Sequence, residues 1–296
     1  MTLELLQVRK SYAAGGESVL ALAGMDLTLN DGEFVTVIGS NGAGKTSLLN
    51  VIAGSVRPDE GQVRLLGRDV TGWPAHRRAR WIGRVFQDPR QGTAAHLTVA
   101  ENLALAQRKG RRGLRFALTR SRKSALREEL ARLGVGLEGR LGERVTCLSG
   151  GERQALTVLM ATLSRPSVLL LDEHTAALDP ANAERVLVLT ERLVRDGGIA
   201  TLMVTHRMDQ ALAMGDRLMM LHKGRALLNL PAAEKRALGV EGLVSLFRHA
   251  GCVEDEVLLS HVGSTETPVL LGASPRRGEV SAEPDAPATA SPGVRV

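Results

Sequence analysis

Aromatic side chains make up only 2% of this 296-residue sequence: four phenylalanines, two tryptophans and a single tyrosine. Proteins that grip nucleic acid by stacking bases carry more of them, so no nucleic-acid partner is expected. Cysteine is nearly absent too. Cys147 and Cys252 cannot build a disulfide framework, which points to a reducing compartment. No apolar run approaches the roughly 18 residues of a membrane span. The richest stretches, 156–163 and 168–171, are short and bounded by charge or proline. The opening Met-Thr-Leu-Glu sets an acid where a signal peptide carries cations. Together these absences predict a soluble chain.

What is present suffices for a sizeable core. The chain is 44% hydrophobic and 24% charged, with net charge +6 and 32 glycines, which excludes a collagenous or wholly disordered polymer. The basic balance fits a nucleotide ligand, an anionic membrane surface or nucleic acid, and does not choose among them. Strands are expected at 3–8, 19–29, 33–38 and 62–66, with Asp59-Glu60-Gly61 as a turn. Apolar spacing predicts helices over 45–53, 100–106, 123–133 and 154–163. Beyond Pro166 the pattern alternates: strands at 168–171, 199–204 and 217–221, helices at 180–194 and 208–214. Continuous apolar strands predict a parallel sheet covered on both faces, an α/β fold. Residues 240–249 are amphipathic and predict a C-terminal packing helix, with a dimerisation or regulatory element as the alternative. The proline-rich stretch 261–296 offers little to bury and predicts a disordered tail.

Two segments carry phosphate chemistry. The strand at 33–38 runs into Gly39-Ser40-Asn41-Gly42-Ala43-Gly44-Lys45-Thr46-Ser47, a Walker A pattern followed by a helix. Its glycines allow consecutive N–H groups to face phosphate oxygens, and the helix adds its positive end. Lys45 suits the β- and γ-phosphates, and the Thr46 hydroxyl suits Mg²⁺. Downstream, an apolar strand ends in Asp172-Glu173. Asp172 suits the metal-holding role, and Glu173 that of a general base on water.

Between these segments Leu148-Ser149-Gly150-Gly151-Glu152-Arg153-Gln154 resembles the signature of ATP-binding-cassette (ABC) ATPases, with Glu152 where glutamine is usual. Val85-Phe86-Gln87-Asp88 resembles their Q-loop, Ala176-Ala177-Leu178-Asp179 their D-loop, and Thr205-His206 their switch-histidine loop. Tyr12 stands where the family places an aromatic against adenine. The resemblance covers about residues 3–230 and its motifs occur in the family order. It implies a P-loop NTPase core with a mostly parallel sheet, an N-terminal antiparallel β subdomain, and a helical subdomain inserted at about 88–165. Residues 231–260 then form a short helical extension.

The same resemblance implies site roles. Glu173, His206 and Gln87 serve hydrolysis, and Thr46, Gln87 and Asp172 hold Mg²⁺. Tyr12, the loop Gly39–Ser47, and Ser149, Gly150, Gly151 and Asp179 of a second chain surround ATP. The implied partners are a second copy of the ATPase, integral-membrane permease subunits and, indirectly, a solute-binding protein. The place implied is the cytoplasmic face of the plasma membrane.

Departures from the family pattern are Ser40 for a frequent proline and His174 for the proline after Glu173. The string Asp172-Glu-His-Thr-Ala-Ala-Leu-Asp-Pro180 resembles a bacterial uptake subgroup, some of it linked to tryptophan- or tyrosine-type solutes. An exporter subunit, or a non-transport ABC ATPase acting on nucleic acid or ribosomes, is the alternative. Nine basic residues and no acid fall within 108–127, read as a solvated surface in preference to a lipid contact.

Overall fold

The computed structural model describes residues 1–107 and 119–249. The elements, numbered in chain order, begin with β1 (Leu3–Ala14), β2 (Glu17–Leu29), β3 (Phe34–Gly39), α1 (Lys45–Ala53), β4 (Glu60–Leu65) and β5 (Arg68–Asp69). Next come α2 (Ala75–Arg78), β6 (Ile82–Val85), α3 (Val99–Ala106), α4 (Arg120–Leu133) and α5 (Gly150–Leu163). The chain continues through β7 (Val168–Asp172), α6 (Pro180–Gly197), β8 (Ala200–Val204), α7 (Met208–Ala213), β9 (Arg217–His222), β10 (Arg225–Pro231) and α8 (Ala232–His249). A non-helical Gly239 breaks α8. The tail expected at 261–296 and much of the basic run, 108–118, lie outside the described residues. Arg120, Arg122, Lys123 and Arg127 of that run are exposed on α4.

Among the described residues the strands form two sheets. One is antiparallel, ordered β2-β1-β4-β5; the other is ordered β10-β9-β3-β8-β7-β6. In the second, β9, β3, β8, β7 and β6 are parallel and β10 turns back antiparallel on β9. Strand alternation divides its side chains between two cores. Val35, Val37, Leu170 and Leu202 join α1 and the antiparallel sheet, against Leu5, Leu48, Leu49 and Ile52. Phe34, Leu169, Leu171 and Met203 point the other way, against Val158 of α5 and Val186 and Leu189 of α6. Both faces are therefore apolar, which is why these strands read as unbroken hydrophobic runs.

A third cluster joins α3, α4 and α5 through Leu103, Leu126, Leu130, Leu156 and Leu159. A fourth packs Leu243, Val244 and Phe247 of α8 on Leu218 and Met220 of β9. The amphipathic C-terminal stretch thus buries its apolar face within its own chain. No helix among the described residues is long and apolar enough to cross a membrane.

Two expectations shift. The strand β4 begins at Glu60, so Glu60 and Gly61 are not a turn. Gly61 instead lies against the carbonyls of Leu6 and Gln7, where a Cβ would clash, at an irregularity in the β1–β4 register between Leu6 and Arg9. Such a bulge presents the same Asp-Glu-Gly composition as a reversal. The β1–β2 hairpin also runs further than the apolar pattern suggests, to Ala14 and from Glu17, because its outer end is exposed and carries no hydrophobic alternation.

Among the buried polar side chains of the described residues are Arg78 and His174. Arg78 is fully buried and spans the C-terminal end of α1: Nη1 donates to the Val51 and Ile52 carbonyls, both at 2.8 Å, and Nε to Trp73 O at 3.0 Å. It thus satisfies carbonyls that a helix end leaves unpaired. Burial lowers its pKa to about 10, still high enough to keep the charge at neutral pH. His174, following β7, is 2% exposed, with Nε2 3.3 Å from the Thr190 hydroxyl of α6. Burial lowers its pKa from 6.5 to about 4, so the ring is neutral in the native protein.

Replacing Arg78 by Met strands the α1 carbonyls and is expected to cost about 3 kcal/mol in chemical denaturation, the scale for breaking a buried charged hydrogen-bond set. For His174 the unfolded chain binds a proton near pH 6.5 that the native chain refuses until about pH 4. Stability is therefore full above pH 6.5 and falls as pH drops through this window. The slope of unfolding free energy against pH should flatten there in His174→Gln.

Candidate functional site

The strand order sets the site. Pairing of β3 with β8, β8 with β7 and β7 with β6, all parallel, puts four carboxyl ends side by side. The segments leaving those ends carry Ser40–Thr46, Thr205–His206, Asp172–Glu173 and Gln87, respectively. Ligands in open α/β sheets bind at this edge.

The loop after β3 closes on itself through the Ala43 N–H donating to Ser40 O at 3.1 Å. Gly44 caps α1 with φ 103°, a left-handed conformation costly for other residues, and a Cβ there would overlap the Ala21 carbonyl of β2. Gly39 is likewise pressed against the Leu221 carbonyl of β9. Lys45 is 8% exposed and its Nζ donates to Gly39 O at 2.6 Å and Ser40 O at 3.0 Å, so the ammonium lies across the loop. Asn41, Gly42 and Thr46 are exposed, and Ser40 and Ser47 are half-buried.

Asp172 Oδ2 accepts from Arg84 Nη2 at 3.1 Å, and Arg84 Nη1 donates to Asn50 Oδ1 of α1 at 2.8 Å. Burial raises the Asp172 pKa, with Arg84 opposing it. Glu173 has φ 44°, unusual outside glycine, and its N–H donates to Val204 O at 3.0 Å. Its Oε2 lies 3.3 Å from His206 Nδ1, and that hydrogen bond holds the carboxyl below its usual range despite burial. The histidine fixes the orientation of an ionised carboxylate, the geometry a general base on water needs, even though the lowered pKa makes the carboxylate a weaker base. Lys45, Asp172 and Glu173 are close enough to bias one another electrostatically. Gln87 is exposed, one residue beyond Phe86, whose carbonyl accepts from Gln154 of α5 at 3.5 Å.

A second group forms at the N-terminus of α5. Ser149 caps the helix, its Oγ accepting from the Glu152 N–H at 3.2 Å while Glu152 Oε2 accepts from the Ser149 N–H at 2.8 Å. Gly151 packs on Asn182 so closely that a Cβ would come within 2.8 Å of its Cγ. Asn182 is in turn held by Asp179, the cap of α6, whose Oδ1 accepts from its N–H at 3.1 Å and Oδ2 from its Nδ2 at 2.7 Å. Ser149, Gly150, Gly151 and Asp179 are thus brought together, with contacts running to α6 and the segment before α5 rather than to the phosphate loop. Tyr12 lies on β1, 36% exposed, with Lys10 Nζ 5.5 Å from its ring centroid.

Arg84, Asn50 and Gln210 escaped the sequence reading. Gln210 Oε1 accepts from the Thr175 hydroxyl at 3.1 Å and the Thr205 hydroxyl at 3.3 Å, joining the segments after β7 and β8. The signal for Arg84 was a cation inside an otherwise apolar strand, three residues before Gln87.

The donor set suits Mg²⁺. Among the described residues no cluster of three or more His, Cys, Asp or Glu side chains forms a cage. Asp172 is a half-buried carboxylate at the end of β7 and Thr46 is exposed at the start of α1, and Mg²⁺ is typically held by one or two carboxylates plus substrate phosphates.

Comparisons with known proteins agree with this geometry. The family model described as ABC transporter matches residues 22–176. The chain is 42% identical over 249 residues to the tyrosine transport ATP-binding protein of Clostridioides difficile (strain R20291), covering 84% of this chain and 99% of that protein. It is 37% identical over 223 residues to the spermidine/putrescine import ATP-binding protein PotA of Thermobifida fusca (strain YX), covering 75% of this chain but 55% of PotA. Among solved structures, the dimeric post-hydrolysis state of the ATP-binding cassette MJ0796, bound to ADP and Pi, matches with a TM-score of 0.65 and 28% identity over 78% of this chain and 98% of that one. With a glycine-rich loop, paired acids and a histidine on adjacent strand ends, the chain belongs to the ATP-binding subunits of ABC transporters, ATPases that use ATP with Mg²⁺ to drive transport.

Proposed function

We propose that this chain is the energy-coupling subunit of an importer for a small amino-acid-type solute, acting as a homodimer on the cytoplasmic face of the membrane. The observation that carries the catalytic part is the Glu173–His206 pair at 3.3 Å, next to Asp172 and the Lys45 loop. The solute class rests on the 42% identical relative, nearly all of whose length is covered. Residues 1–230 form the ATPase domain, with 88–165 as its helical subdomain and 231–260 as an extension.

In this reading the backbone of Gly39–Ser47 and the Lys45 ammonium bind the phosphates, and Lys45 exchanges its loop carbonyls for phosphate oxygens. Thr46, Gln87 and Asp172 hold Mg²⁺, which neutralises phosphate charge when bound. Glu173 accepts a proton from the attacking water. His206 holds Glu173 oriented and offers a hydrogen bond to the γ-phosphate. Ser149, Gly150 and Gly151 of the partner copy close over the phosphates, Asp179 lies at the contact between copies, and Tyr12 stacks on adenine. Closure of the two copies is passed to separate permease subunits through the Gln87 segment, and a solute-binding protein delivers the cargo.

Glu173→Gln should bind ATP yet lose hydrolysis by roughly 100-fold or more, and it should accumulate as an ATP-dependent dimer in size-exclusion chromatography. Normal turnover in that variant would remove Glu173 from the base role. Lys45→Ala should weaken ATP binding itself, read by fluorescent-nucleotide titration. Detergent extraction of a tagged chain is expected to bring down a multi-span protein stoichiometrically; ribosomes or DNA in its place refute the transport reading.

A further inference from the structure

Glu152 is the third residue of α5, two positions beyond Gly150. An acid there favours the helix, because it completes the capping box and complements the positive end of the helix dipole. It also sets a negative charge beside glycines that, in the function proposed above, receive the γ-phosphate of a partner's ATP. Glutamine would accept the same Ser149 N–H without that charge. The acid therefore helps the fold locally and opposes the anion the site has to take.

Arg140 resolves this conflict. Its Nη1 donates to Glu152 Oε1 at 2.6 Å. Its Nε and Nη2 donate to Glu143 Oε2 at 2.9 and 2.7 Å, and Nη2 also to the Cys147 carbonyl at 3.1 Å. Glu152 thus has one oxygen on Arg140 and the other on the Ser149 N–H. Glu143 is the more exposed acid, 44% against 30%, so water screens it while Arg140 takes up Glu152. One guanidinium ties residues 140, 143, 147 and 152 into a clasp around the signature turn.

We propose that Arg140 is a positioning residue for the ATP sandwich: it neutralises Glu152 and fixes the turn before α5, so that Ser149–Gly151 can accept a phosphate from a second copy of this chain. The idea rests on the proposed function, and the experiment separates the two. All variants are built on Glu173→Gln, and the ATP concentration giving half-maximal dimer is read by light scattering, with thermal unfolding as a check on folding.

Arg140→Gln is expected to raise that concentration roughly threefold to tenfold at low salt, and the ratio to the parent should shrink in about 0.5 M salt, where charges are screened. Adding Glu152→Gln to Arg140→Gln should bring the value back to within about twofold of the parent, since the charge needing neutralisation is gone. Arg140→Lys, which keeps the charge without the fork, should shift it less than Arg140→Gln. An unchanged midpoint in Arg140→Gln overturns the proposal, as does a shift that neither Glu152→Gln nor salt relieves. A Glu173→Gln parent that stays monomeric with ATP overturns the reading of the site, and the proposal with it.

Discussion

Parallel pairing of β3, β8, β7 and β6 is the constraint on which the rest of the site depends. A parallel sheet needs a crossover after every strand, and each crossover must leave from the same edge. Four unrelated segments of sequence are thereby delivered to one line without any contact having to recruit them. The apolar side chains of the strands supply the driving force, and the polar residues at their ends need only be the correct ones.

That arrangement explains what was legible in the sequence. Chemistry that is contiguous along the chain, such as Gly39–Ser47 or Asp172–Glu173, carries its own pattern, and the apolar run before each names the strand. The parallel sheet followed from the same runs. Interactions that span the fold left no such mark: Arg84 meets Asp172 from 88 positions away, and Arg78 reaches back 27 positions to Val51. Both are arginines in a chain full of them, and nothing local separates a buried one from a solvated one. The Gly61 bulge was hidden for a related reason, because its cause, the carbonyl of Gln7, lies on another strand. The exposed end of the β1–β2 hairpin buries too little to show an alternation.

The charges of the site are graded by their surroundings. Asp172, pushed by burial toward the neutral form, is held by Arg84; Glu173 is held ionised chiefly by its hydrogen bond with His206, with Lys45 adding to it. Neighbouring acids at one strand end therefore have separate hydrogen-bonded supports, while Lys45 acts on both and Glu173 itself acts on Asp172. Gln210 joins the same two segments by neutral hydrogen bonds, which carry no dependence on salt or pH in the neutral range.

The two tight glycines of the phosphate loop have a thermodynamic consequence. Gly39 is backed by a carbonyl of β9 and Gly44 by one of β2, strands of different sheets, while Ala43 O accepts from the Gly224 N–H at 3.0 Å. The loop is wedged from behind at both ends and stitched in the middle by the folded protein alone. Its conformational entropy is lost during folding, so in the function proposed above an arriving triphosphate would meet a preorganised cradle and spend little of its binding energy in shaping it.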